Sequence, residues 1–546
     1  MKKYTPTLLI LFTLLGVFMG VYISGGRENT VIQLTGNSKV DELIELVHSC
    51  YVDSISVDDI IEKAMPKIIN ELDPHSTYIP AKELESTNAD LKSSFSGIGI
   101  RFLIEEDTIH ITDIIRGGPS EQVGLMAGDR IITVNDTLFV GDVCTNDAAM
   151  KKLKGPKGTN VKIGVQRYGE KDLLHFNITR GDIPVKSIEA AYLIDDKWGY
   201  IQVERFAENT FTEFILALAR FMRNNCQGII IDVRGNGGGW LGIATQMANE
   251  FLNKGDMIVY TEGTNQPRSV EYANGRGNFR NIPLVVLTDE TSASASEILA
   301  GTIQDNDRGT IIGRRTFGKG LVQQPFDFQD GSAVRLTIAR YYTPSGRCIQ
   351  KPYNIGNAEE YAMDILNRYE RGEFFSQDSI HQNDSLVYKT RLGRTVYGGG
   401  GIMPDIFVSS DTTDITSYYS QAVSKRLIQQ YTFRYSDVNR KELSAYTTYE
   451  ELLAHLKSKN LVNDFVKYAA NKGLKPRNIQ IEKSHKRLEQ SIYANIIYNI
   501  QGMLEHVRYI NTFDVTVLKA IEILDAGKAF PQKPATEKNS DRTTHI

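Results

Sequence analysis

The sequence is poor in the residues that build metal sites and disulfide scaffolds. Its 546 residues hold 4 cysteines, Cys50, Cys144, Cys226 and Cys348, far apart, with no Cys-x-x-Cys and no histidine at ligand spacing. That pattern excludes zinc-finger and Cys-His metal sites, and so few scattered thiols do not make a disulfide framework. The expectation is free, mostly buried cysteines, no metal and no cofactor. No charge of one sign dominates either: 62 Lys and Arg face 66 Asp and Glu, a net charge of −4, with no single-sign run. A general nucleic-acid partner is thereby excluded. Long apolar runs are missing with one exception. Lys2 and Lys3 precede an uncharged stretch from Tyr4 to Gly26 with the core "TLLILFTLLGVFMGVYI", which has the charged n-region and apolar h-region of an export signal. Since about 20 apolar residues also suffice to span a bilayer, residues 7–23 are open to being a membrane anchor instead. The expected location is periplasmic or otherwise extracytoplasmic, with anchoring to the inner membrane left open.

A chain of this length predicts two to four domains. Residues 1–26 form the signal peptide or anchor, and 38–90 a helical segment whose apolar positions recur at helical spacing in "KVDELIELVHSCYV" and "VDDIIEKAMPKIINEL". "DPHSTYIP" breaks that pattern. Residues 91–181 read as a β-rich module of short strands with one helical piece, "NDAAMKKLKG". Residues 182–409 alternate strand and helix, which implies an α/β core with helices packed on a sheet. Residues 410–530 turn helical and polar, and 531–546 are compositionally a disordered tail.

Three glycine motifs compete for meaning. "GGGWLG" (Gly237–Gly242) fits G-x-G-x-x-G, follows the strand "GIIIDV" and has Glu262 twenty residues on, but an exported protein meets little nicotinamide cofactor. "GRRTFGKG" spells G-x-x-x-x-G-K yet has Gly320 where a P-loop needs a hydroxyl, and a strand-like "LVQQPFDF" where it needs a helix. "SGIGIRF" opens the β module: the backbone N–H groups of Gly97, Ile98, Gly99 and Ile100 can form a nest for a carboxylate beside a strand edge that accepts an extended peptide, with a plain hairpin turn as the other reading.

"SASASEILAG" sets serines on alternate positions at the start of a helix. Ser294 with Glu297 spells a capping box, and capping alone accounts for it. Chemistry needs a base. A lysine serves if burial lowers its pKa from about 10.4 toward about 7 to 8, and Lys319, flanked by glycines and by Phe317, Leu321 and Val322, fits. Gln323 lies four residues on, able to hold the lysine head. The N–H of Ala295 and one from the glycine run at Gly238 are candidate donors to an oxyanion. His75, beside Pro74 in "DPHS", reads as a structural turn residue; a Ser-His-Asp reading with Asp73 stays open, since triads are recognised by geometry and no spacing ties the pair to Ser294.

From Leu72 to Ile406 the chain resembles the carboxy-terminal processing peptidases, or tail-specific proteases, on seven segments in order: "LDPHSTYI", "GIGI", "DVRGNGGG", "TSASASEILAGTIQD", "GRRTFGKGLVQ", "YYTPSGRCIQ" and "GIMPDI". The resemblance implies a multidomain α/β chain: a PDZ domain inserted before a crotonase/Clp-like protease core, flanked by the helical N-terminal segment and helical C-terminal region. It implies a serine endopeptidase with a Ser/Lys dyad, in which Ser294 is the nucleophile, Lys319 the base and Gln323 its assistant. The oxyanion donors fall on Ala295 and Gly238. The implied partners are proteins or peptides with free C-termini, held at Gly97, Ile98, Gly99 and Ile100; a homo-oligomer is left open. One departure is "RGNGGG", where the family more often has Asn and Pro at the positions of Gly235 and Gly237. The competing class is a peptide-binding scaffold that keeps the same core without catalysis. Beyond Ser410 the resemblance assigns nothing.

Overall fold

The computed structural model describes residues 38–88, 92 and 94–533; the apolar segment at 1–26 and the tail from 534 lie outside the described residues. Two compact units result, the first ending at Ile69 and the second starting at Asn70. The first holds α1 (Ser38–Cys50) and α2 (Val57–Asn70), each with acidic residues in its first turn, where they complement the helix dipole. No residue of α2 is buried. No described helix is long and apolar enough to cross a membrane.

In the second unit, "DPHSTYIP" is more than a break. It contains β1 (Thr77–Ile79), followed by α3 (Ala81–Asn88). The β module then runs β2 (Ser94–Gly97), β3 (Ile100–Glu105), β4 (Thr108–Ile114), β5 (Arg130–Val134), β6 (Thr137–Leu138), α4 (Asn146–Leu153), β7 (Asn160–Gln166), β8 (Leu174–Thr179) and β9 (Gly181–Pro184). Its sheet has the order β3-β4-β5-β7-β8, so β3 is an edge strand. Ile98, Ile109, Ile131, Ile163 and Ile178 meet Ala149 and Leu153 of α4 in a separate apolar core.

The α/β core comprises β10 (Ile188–Ile194), β11 (Trp198–Val203), α5 (Thr210–Arg223), β12 (Gly228–Asp232), α6 (Leu241–Asn249), β13 (Met257–Gly263), β14 (Gln266–Tyr272), β15 (Leu284–Thr288), α7 (Ala295–Asp305), β16 (Thr310–Gly313), β17 (Leu321–Asp327), β18 (Ala333–Tyr342), α8 (Ala358–Glu370), β19 (Val387–Lys389), β20 (Thr395–Tyr397) and β21 (Ile406–Phe407). One sheet has the order β10-β11-β12-β15-β16-β21 and is parallel from β11 onward. Its central strands, "GIIID", "LVVLT" and "TIIG", are buried throughout, as parallel strands covered on both faces must be. A second, antiparallel sheet pairs β1, β17 and β13 with β18.

The C-terminal helices are α9 (Ser417–Ser424), α10 (Leu427–Val438), α11 (Arg440–Leu443), α12 (Tyr449–Lys457), α13 (Leu461–Asn471), α14 (Asn478–Lys483), α15 (His485–Gln501), α16 (Met503–Asn511) and α17 (Val515–Asp525). On one face of the parallel sheet Ile229, Ile231 and Val286 pack with Phe214, Leu218 and Leu299. The other face, Ile230, Val285, Leu287 and Ile312, packs on Val517, Ile523 and Leu524 of α17. The helices between Tyr418 and Tyr509 have an apolar core of their own, but α17 is the sheet's second layer, so the region expected from 410 does not stand wholly apart from the α/β core. All four cysteines are unpaired; Cys144 is buried and Cys226 and Cys348 half-buried, but Cys50 is exposed on α1, against the expectation of burial.

Candidate active site

Strand order brings the motifs together. β12, β15 and β16 are adjacent and parallel, so the loops after them leave side by side at the carboxyl ends, where ligands of open α/β sheets collect. The loop after β12 is the glycine run, that after β15 the serine segment, and that after β16 the loop of Lys319.

The three serines divide cleanly. Ser292 and Ser296 are fully buried, and their hydroxyls donate to Val233 O (2.8 Å) and Asn236 O (2.9 Å), fastening the serine segment to the glycine loop. Ser294 is half-buried and sits at the helix start with φ 55° and ψ −113°. For a residue other than glycine this backbone costs on the order of 1 to 3 kcal/mol and collects at functional sites. A strained strand-to-helix turn of this kind presents a side chain at the top of a sheet.

Two groups hold the backbones of Ser294 and Lys319 together. Glu297 Oε2 accepts from Ser294 N–H and from Lys319 N–H, both at 2.8 Å, while its Oε1 accepts from Gly318 N–H (2.7 Å) and the Thr316 hydroxyl (2.5 Å). On the other side the Tyr341 hydroxyl lies 3.1 Å from Ser294 O and 2.6 Å from Lys319 O. Glu297 is fully buried; burial pushes its carboxyl up to about 7 against the pull of those donors. It caps the helix as its spacing predicts, and it also ties the two loops. Tyr341 gave no signal in the sequence, because it acts on main-chain carbonyls.

Lys319 Nζ donates to Gln323 Oε1 at 2.9 Å, and Gln323 Nε2 donates to His75 O at 2.5 Å. The lysine's pKa is lowered, first by burial and then by the Arg335 charge, with Asp73 and Glu297 opposing. His75 thus reaches the site through its carbonyl. Its ring nitrogen Nε2 bonds the Tyr361 hydroxyl at 2.8 Å, and burial followed by the Lys319 charge brings its pKa down to about 4. Asp73 fixes the turn by accepting from His75 N–H and Ser76 N–H, both at 2.8 Å.

The two oxyanion candidates differ. Ala295 N–H has no acceptor among the described residues. Gly238 lies against the serine, since a Cβ there would stand 2.8 Å from Ser294 Cβ and 3.1 Å from Ala295 N. Its own N–H, however, donates to Asn236 Oδ1 at 2.8 Å. Asn236 anchors the loop further through Nδ2 to Val203 O (2.7 Å) and by accepting Ala293 N–H (3.0 Å). In the β module Gly97 pairs with Gly181, Gly99 has φ 81°, and Ile98 is 2% exposed. Ile98 N–H and Gly99 N–H have no acceptor among the described residues, and Ile100 starts the edge strand β3. A cavity of about 430 Å³ lined by Phe317, Lys351 and Arg368 lies behind the lysine loop and includes neither Ser294 nor Lys319. No group of metal-ligating side chains occurs among the described residues.

Residues 197–357 match peptidase family S41, residues 88–166 a PDZ domain and residues 418–502 a family of unknown function, DUF8443. A carboxy-terminal-processing protease of Bartonella bacilliformis is 33% identical over 354 residues, covering 62% of this chain and 80% of that protein. The carboxy-terminal processing protease CtpA of Bacillus subtilis is 34% identical over 372 residues, covering 66% of this chain and 79% of that one. Among solved structures, a photosystem II D1 C-terminal processing protease aligns at 26% identity over 56% of this chain and 88% of that chain, with a TM-score of 0.32.

Proposed function

We propose that this chain, which belongs to the family of carboxy-terminal processing proteases, cleaves exported or membrane proteins near a free C-terminus by a Ser294/Lys319 dyad. The observation that carries the reading is the shared clamp: one carboxylate oxygen holds both N–H groups, and one hydroxyl lies against both carbonyls. In the reaction Lys319, whose charged form burial disfavours, takes the Ser294 proton as Oγ attacks the scissile carbonyl. Gln323 keeps the amine in place through its Oε1. Ala295 N–H donates to the oxyanion as it forms. Collapse breaks the C–N bond, the proton passes from Lys319 to the leaving amine, and the acyl group stays on Ser294. A water, deprotonated by the same lysine, then releases the acid and restores the serine. Gly238 N–H joins as a second donor only if Asn236 Oδ1 gives it up.

Substrate capture is assigned to the PDZ domain. The unbonded N–H groups of Ile98 and Gly99 suit a terminal carboxylate, and the edge of β3 suits an added strand. The n-region and apolar run at residues 2–26 support work outside the cytoplasm. A scaffold without catalysis would gain nothing from desolvating a lysine beside a strained serine. The test is to incubate the soluble part with exported proteins and map new C-termini by mass spectrometry. Ser294→Ala and Lys319→Ala should each abolish cleavage, with the double variant no worse, because members of one unit are not additive. Near-normal turnover in Lys319→Ala at neutral pH would refute the dyad.

A further inference from the structure

The helices after residue 410 touch both halves of this machinery. Toward the PDZ domain, Arg101 of β3 reaches the Tyr498 hydroxyl of α15 at 3.4 Å while pairing with Glu189 of β10 at 2.7 Å. Arg130 of β5 pairs with Asp437 of α10 at 3.5 Å, and Lys472 pairs with Glu106 at 2.8 Å. Toward the core, Asp514 receives Arg234 Nη1 on both carboxylate oxygens, at 3.1 and 2.9 Å. The same guanidinium grips Asp232 at the end of β12, through Nε at 2.9 Å and Nη2 at 2.6 Å.

Arg234 is the residue before the glycine run. A run of glycines has no side chains to pack and the most backbone freedom to lose, so its shape depends on what anchors its ends. Gly235 and Gly237 have open space where a Cβ would stand. The anchors are Arg234, the Asp289 carboxylate on Gly235 N–H (3.2 Å), and Asn236. An arginine fork between two carboxylates is a geometry lysine cannot reproduce. Only one of those carboxylates belongs to the sheet; the other is the N-cap of α17, accepting from Thr516 N–H (2.9 Å) and Val517 N–H (3.0 Å).

We infer that the C-terminal helical region is a working part of the catalytic unit, with Asp514 a positioning residue that sets the glycine loop against Ser294 through Arg234. The inference rests on the Ser294 reading given above. The competing explanation is that the pair only pins α17 to the sheet.

Asp514→Asn in the full chain separates the two, because asparagine caps a helix as well as aspartate does but has no charge for the guanidinium and turns one of its two acceptor oxygens into a donor. We expect kcat to fall about tenfold. KM and the affinity of a fluorescent C-terminal peptide, read by anisotropy, should hold within about twofold, since neither ligand group moves. Arg234→Lys should lose as much, and the double variant no more than either alone. Hydrogen exchange should quicken in 235–239 while α17 keeps its protection. Unchanged kcat with unchanged loop exchange would overturn the inference, as would loss of protection in α17 together with the loop. If Ser294→Ala still cleaves, the nucleophile assignment fails by itself, and the loop exchange in Asp514→Asn still decides the role of Asp514.

Discussion

Gly238→Ala is the sharpest probe of how the serine is held. The substitution keeps the backbone N–H, so any loss comes from the added methyl and not from a missing donor. That methyl would stand 2.8 Å from Ser294 Cβ, 2.9 Å from Ala293 O and 3.1 Å from Ala295 N, and none of the three is the free end of a flexible side chain. Gly238 also has φ 109°, outside the range of L-residues. The conformational penalty is roughly 1 to 2 kcal/mol, and overpacking adds typically 1 to 3 kcal/mol, so a loss of about 2 to 5 kcal/mol in unfolding free energy is expected. Relief requires the start of α7 to retreat. A displacement of the serine by a fraction of an ångström to an ångström should lower kcat by up to about 100-fold. The assays are urea unfolding followed by circular dichroism and steady-state cleavage of a peptide with a free C-terminus. A variant as stable and as active as wild type would refute the packing argument, since it would mean that the glycine loop and the serine segment part at no cost.

Three further outcomes follow from the same geometry. Ser294→Gly should be more stable than Ser294→Ala by about 1 to 2 kcal/mol, because glycine adopts φ 55° without strain and alanine does not; equal midpoints in urea would count against strain at Ser294. Burial of Lys319 lowers its pKa, so kcat/KM should rise with pH and level off below the range of a free lysine; a rise that continues to the free-lysine value would contradict the desolvated base. Glu297 has a folded-state pKa of about 7 against an ordinary 4.5, so between those values the folded protein holds a proton that the unfolded chain has released. Stability should therefore fall as pH rises through that window, by on the order of 3 kcal/mol from this group, and Glu297→Gln should lack that part of the slope; identical slopes would sink the assignment.

Much of this was legible in the residues. "GIIID", "LVVLT" and "TIIG" are apolar without alternation, which is how strands covered on both faces read, and the candidate site residues lie in the loops after them. What the sequence hid was contact made through the main chain. His75 offers its carbonyl to Gln323, 248 residues away, and a carbonyl has no residue type to betray it. Tyr341 is hidden for the same reason. Asn236 is the opposite case: its amide takes the N–H of Gly238, which spacing alone had left free for an oxyanion. The helix α17 was legible as a helix, but nothing in its apolar positions says that the surface they cover is Ile230, Val285 and Leu287.

The strain at Ser294 explains why so many unrelated residues converge there. A left-handed backbone at a serine persists only where its surroundings over-determine it. Its N–H is bound by Glu297, and its carbonyl receives Glu297 N–H at 2.9 Å, Ile298 N–H at 3.0 Å and the Tyr341 hydroxyl at 3.1 Å. Any relaxation of φ toward the ordinary helical region would break several of these bonds at once, each worth about 0.5 to 1.5 kcal/mol, together more than the strain they oppose. The same bonds reach Lys319 through Glu297 and Tyr341, so the serine cannot relax without moving the lysine. Glu297 and Tyr341 therefore set how the backbones of Ser294 and Lys319 lie to each other, and, on the proposed dyad, their removal should cost turnover before it costs the fold.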